Sequence, residues 1–143
     1  MKVTNLIAAV WLGSGVFLML AASAAFRAAG NSTTAADVVG AMLARWHYIA
    51  LGAPLVLFAL SLRHARPFLL GVLFVAILLA ASQIFIDLRI RAIRVSSPVP
   101  ISSLDRTDPV RKHFGRLHAL SSSLLLLQAI ASAIVVVVRK EGG

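Results

Sequence analysis

Cysteine is absent from this 143-residue chain, which excludes disulfides, iron–sulfur clusters and thiolate metal sites. Carboxylates are nearly absent as well. Asp and Glu together number 5 against 14 Lys and Arg, leaving a formal charge of +9 and no paired carboxylates for acid/base work. No Gly-rich phosphate loop, Glu-containing zinc signature or nucleophile triad occurs, so enzyme chemistry is not expected. Aromatic residues are 7% of the chain and do not interleave with the cations, and no polar domain is available to carry a groove, so nucleic acid is excluded as the basic partner. What fills the chain is apolar: 59% hydrophobic residues against 13% charged, with a mean hydropathy of +0.91. That balance excludes an ordinary soluble domain and points to an integral membrane protein.

Four long apolar stretches run over residues 6–26, 38–62, 68–86 and 117–138. Each approaches or exceeds the roughly 20 residues with which a helix crosses a bilayer. The expected fold is therefore all-α, a single domain over 1–143 forming an up-down-up-down bundle of four transmembrane helices. Ala22-Ser23-Ala24 has the form of a signal-cleavage site, but the first apolar run exceeds the about 7 to 15 residues of a signal core and is read as an uncleaved span. Thr34-Ala-Ala-Asp37 resembles a capping box for the second helix, Pro67 suits the first turn of the third, and Asp108-Pro109 is an N-cap followed by Pro at N1 for the fourth.

Four crossings put both termini and His64 on one side, the terminal side, and Asn31 with the segment 94–108 on the other, the loop side. Lys2, Arg63, Arg66, Arg139 and Lys140 lie on the terminal side; Arg27, Arg45, Arg89, Arg91, Arg94, Arg106, Arg111, Lys112 and Arg116 lie on the loop side. The positive-inside rule then places the loop side in the cytoplasm, with anionic headgroups as the counter-charge. Small residues at four-residue spacing, Ala9/Gly13, Ala76/Ala80 and Ala129/Ala133, are candidates for close helix contact, and Trp11, Trp46 and Tyr48 for interfacial anchors.

Two echoes divide the chain. Arg45-Trp46-His47 recurs as Arg116-Leu117-His118, and Leu20-Ala21-Ala22-Ser23 recurs as Leu79-Ala80-Ala81-Ser82 one span earlier in each case. Two repeated helical hairpins related by an axis along the membrane normal give this order, with the triplets at equivalent depths. Trp11-Leu12-Gly13, Val39-Gly40 leading to Arg45-Trp46-His47, and Phe114-Gly115-Arg116-Leu117-His118-Ala119-Leu120-Ser121 resemble a family of small four-helix bacterial membrane proteins of unknown function. That family is similar to the eukaryotic transmembrane protein implicated in platinum-drug resistance and, more remotely, to the copper-resistance membrane protein D. The resemblance implies the fold and residence in a bacterial inner membrane, and supplies no activity.

Ionisable groups inside spans are costly and are functional candidates by default. Gln83, Asp87 and Arg91 follow one another at intervals of four on the third span, with Arg94 three further on; Phe114, His118 and Ser121 share a face of the fourth. Pro54, beside Gly52, frees the carbonyl of Ala50, so a small polar cavity is expected to open to the loop side. Three readings follow. Haem b is expected to be held by His47 and His118 with Arg45 and Arg116 on its propionates; alternatively the two histidines hold a transition metal such as copper, for which only three Met residues offer softer donors. In the third, the arginines attract an anion and Asp87 handles a proton, as in a small-molecule or ion transporter, for which four helices suffice only in a homo-oligomer. A non-catalytic accessory subunit of a larger membrane complex is the alternative in a different class. In the plainest reading Arg45 and Arg116 snorkel and Asp87 neutralises Arg91 on its own helix.

Overall fold

The computed structural model describes residues 3–62 and 66–141, apart from the side chains of 32, 140 and 141. Lys2, Arg63, His64 and the side chain of Lys140, counted above on the terminal side, lie outside that description. Four helices make up the bundle: α1 (Val3–Ala28), α2 (Ser32–Ser61), α3 (Pro67–Ser96) and α4 (Pro109–Glu141). All four are long and apolar enough to cross a membrane, so the chain is an integral membrane protein. Each packs on its neighbours in sequence, and α4 closes the ring against α1, which leaves α2 and α4 on a diagonal.

The helices outrun the apolar stretches because their ends are capped in polar segments. α2 begins three residues earlier than its Thr34-to-Asp37 signal suggests: the Asn31 side chain accepts the Thr34 N–H at 2.7 Å, and this cap supersedes the expected one. Pro67 takes the first turn of α3 as expected. Asp108 accepts the Val110 N–H at 2.7 Å and starts α4. Between α3 and α4 a 3-10 turn over Ile101–Ser103 leads to Asp105, whose carboxylate accepts the Thr107 O–H and N–H at 2.5 and 2.7 Å. Those two bonds, with a smaller contribution from Arg111, hold the Asp105 carboxyl below the ordinary carboxylate value.

The outer faces carry large apolar side chains such as Phe17, Phe74 and Leu126, all exposed, while small ones fill the middle. Ala8, Ala50, Ala76 and Ala80 are fully buried beside Leu57, Leu73 and Val135. In lipid this arrangement is held by close packing rather than by removal of apolar surface from water. Ala76/Ala80 occupy the contact expected of them, whereas Ala9 and Gly13 face outward and α1 presents Ala8 and Gly15 instead. Both tryptophans depart from the interfacial expectation. Trp11 is 1% exposed and Trp46 6% exposed, and only Tyr48 stands out toward the surroundings. Trp46 is admitted to the core because its indole N–H donates to Ser14 Oγ at 3.1 Å, and the Ser14 hydroxyl donates in turn to the Trp11 carbonyl at 3.0 Å.

Gly15 makes room for that indole. A Cβ at this position would sit 3.3 Å from Trp46 Cζ2, while one at Gly13 would meet nothing within 4 Å. Gly15→Ala is expected to cost about 1 kcal/mol through overpacking, and Gly13→Ala to be neutral or slightly stabilising through helix propensity. Thermal unfolding of both variants in one mild detergent checks the ordering; equal midpoints would remove the proposed role for Gly15.

Candidate functional site

α3 supplies the centre of the site. Asp87 lies between α2 and α4 and binds both: one carboxylate oxygen meets His47 Nε2 at 2.9 Å, and the other accepts the Ser121 hydroxyl at 2.6 Å. His47 and Asp87 side chains are each 14% exposed, and Ser121 is buried. The carboxylate thus ties three helices together. Its position, roughly 10 Å along α3 from Arg94 at 1.5 Å per residue, sets it well inside the bundle from the loop-side end. There Arg94 pairs with Asp37 and reaches the Ala36 carbonyl, joining α3 to α2. Arg91, the other candidate partner for Asp87, is exposed.

One helical turn toward the terminal side, Gln83 receives a hydrogen bond from the Gln128 amide. Both side chains are fully buried. The pairing is one-sided, leaving Gln83 Nε2, a donor, and Gln128 Oε1, an acceptor, buried without a protein partner. Two polar layers therefore stack on α3: a carboxylate–imidazole–hydroxyl layer, and beneath it an amide layer with one donor and one acceptor unspent. Below them Ala76, Leu73, Leu57 and Val135 are fully buried, and the buried Ser132 spends its hydroxyl on the Ala129 carbonyl of its own helix at 2.8 Å.

The paired-histidine expectation fares differently. His47 is inside, but His118 is exposed and lies parallel to Phe114 on its own helix, ring centroids 6.3 Å apart. Arg45 and Arg116 are exposed as well. Although α2 and α4 are diagonal, the two imidazoles do not meet, and the haem geometry of two inward axial ligands with arginines on the propionates does not fit these residues. A metal fares no better. Among the described residues no group of three His, Asp or Glu side chains stands close enough to hold an ion, and His47 already spends Nε2 on Asp87. Nor is His47–Asp87–Ser121 a hydrolytic triad, because the carboxylate, not the imidazole, is in the middle, leaving no base on the hydroxyl.

The expected cavity beside Pro54 is replaced by packing: Pro54 is buried and α2 continues through it. A pocket of about 300 Å³ on this half of the molecule opens between α1 and α2, lined by residues that include Ser14, Phe17, Met42, Arg45 and Trp46. Gln128 is the functional candidate that reading the ionisable residues alone does not find. Its signal is there: a lone amide seven residues after Ser121 on the same helical face, following the apolar run Leu124–Leu127. No known protein family, curated protein or solved structure matches this chain.

Proposed function

We propose that this protein is a proton-coupled binding and transport subunit for a small polar solute, acting at the Asp87 layer from the loop side. One observation carries the reading: a carboxylate within a membrane bundle is shared between an imidazole on α2 and a hydroxyl on α4, directly above two buried amides with an unused donor and acceptor. Carboxylates and histidines at membrane depth are costly, and proton relays and substrate paths are where such groups occur. Asp87 and His47 can share or exchange a proton across their 2.9 Å bond without separating net charge over any distance. A solute that offers a donor to Asp87 competes with His47 and Ser121, so its binding is coupled to where that proton resides. A group carrying one acceptor and one donor, such as an amide, a carboxylic acid or a water molecule, complements Gln83 Nε2 and Gln128 Oε1.

The exposed arginines on α2, α3 and α4 fit a cytoplasmic loop side in a bacterial inner membrane, where they meet anionic headgroups and attract anionic solutes. Four helices give one such site and no second gate, so transport is expected of a homo-oligomer. The resemblance noted in the sequence bears on fold and membrane residence only.

The test is proton movement in vesicles of purified protein loaded with a pH-sensitive dye under a clamped membrane potential, with and without small amides and carboxylic acids outside. Flux is expected to fall about tenfold in Asp87→Asn, equivalent to about 1.4 kcal/mol of lost coupling, and to survive in His118→Ala. Unchanged flux in Asp87→Asn, or equal loss in His118→Ala, rejects the reading.

A further inference from the structure

A second polar feature lies at the opposite end of the bundle. Arg139, near the end of α4, is half-buried and lines a crevice of about 180 Å³ together with Asn5, Ala8 and Val136, between α1 and α4. Its Nη2 donates to Ser61 Oγ on α2 at 2.5 Å, which fixes the guanidinium, and Ser61 is itself buried. Its Nε is buried and has no acceptor among the described residues. Among the described residues only His47–Asp87 and Arg94–Asp37 form ion pairs, so no described carboxylate meets this guanidinium.

A partly buried cation whose one described partner is a neutral hydroxyl gains from an anion that completes its hydrogen bonding. Several features of this crevice favour an oxyanion. The guanidinium presents a planar fork that matches phosphate oxygens, and Nη2 is its one nitrogen bonded to a described residue. Asn5 adds an amide able to donate on the α1 wall. The space exceeds several water volumes of about 30 Å³ and so admits a tetrahedral group. The apolar walls, Ala8 and Val136, and the location at a span end also match the border where a lipid phosphate passes into its acyl chains.

We propose that Arg139 and Asn5 form a binding site for a phosphate-type oxyanion at the terminal-side border of the bundle. This site is independent of Asp87 and of the transport reading. The ligand chemistry is shared by an anionic lipid headgroup and by free phosphate, and the assay separates them. The whole protein in neutral detergent is heated with phosphatidylglycerol or phosphatidylcholine micelles, and separately with sodium phosphate or sodium chloride at equal ionic strength.

Phosphatidylglycerol is expected to raise Tm by several degrees over phosphatidylcholine. The shift should be at least halved in Arg139→Gln and only slightly reduced in Arg45→Gln, which removes one of several exposed loop-side cations that also meet headgroups. A shift with phosphatidylglycerol alone identifies a lipid site, and one with sodium phosphate too identifies a site for the free anion. If Arg139→Gln does not fold, Arg139→Lys and Asn5→Leu are read instead: the first keeps the charge but loses the planar fork, the second keeps the guanidinium but loses the amide, and each should weaken the shift. No shift with either ligand in the unaltered protein, or a full shift in the variants that fold, overturns the proposal.

Discussion

Asp87→Ala is expected to lower the free energy of unfolding by about 3 kcal/mol, the largest loss from any single substitution in the polar layers. The size follows from what the carboxylate holds. Removing it breaks a bond to α2 and a bond to α4 at once, and leaves His47 and Ser121 facing one another's vacated partner in a setting with little water. Side-chain hydrogen bonds between membrane helices are individually modest, about 0.6 kcal/mol on average, because the unfolded chain in a membrane also finds partners. Ser121→Ala should therefore cost no more than about 1 kcal/mol, since Asp87 keeps His47. His47→Ala should fall between the two, because it leaves a carboxylate with only a hydroxyl. Asp87→Asn preserves shape and the bond from Ser121, and is expected to recover about half of the loss seen with alanine. Denaturant unfolding in mixed micelles, with the exposed neighbour Leu88→Ala as reference, measures the series. A loss for Asp87→Ala no greater than for Leu88→Ala would mean that the carboxylate does not organise the bundle.

The same residues explain how far the sequence could be read. Helix number and span positions are legible because a bilayer imposes a length on each apolar run, and that constraint acts locally along the chain. Asp87 and Gln83 are legible for a related reason: polar groups stand out against such runs. Rotation of each helix about its axis is not, because with lipid outside and small apolar residues inside there is little amphipathic contrast to report which face is which. That is why the two Arg-x-His triplets look equivalent in sequence and differ in structure. In the register that aligns Leu20 with Leu79, Asp87 corresponds to Ala28, so the first hairpin has no carboxylate to offer His118. One imidazole gains a charged partner across the helix interface, and the other settles on Phe114 at the exterior. Trp46 departs from its expected interfacial place for a similar reason: an aromatic with a polar edge suits an interface, and only the placement of Ser14 opposite its N–H lets it enter the core.

Gln83 and Gln128 offer the sharper test, because their contribution to stability and their contribution to function should separate. Each amide is fully buried, and between them they make one bond while leaving a donor and an acceptor unspent. Replacing one by methionine, which is similarly unbranched, deletes the bond and strands the rest of the other amide in an apolar core. Gln83→Met and Gln128→Met are each expected to cost about 1.5 kcal/mol. The double variant strands nothing. It should be close to the unaltered protein or more stable, giving a coupling of about 3 kcal/mol opposite in sign to simple additivity. A pair that served only the packing would then be dispensable. If the two amides instead bind solute beneath Asp87, the stable double variant should lose solute-dependent proton flux while retaining the fold, and circular dichroism with the vesicle assay would record both. Additive single losses would show that the amides do not act as a pair. Undiminished flux in a folded double variant would remove the amide layer from the transport path and confine the chemistry to His47, Asp87 and Ser121.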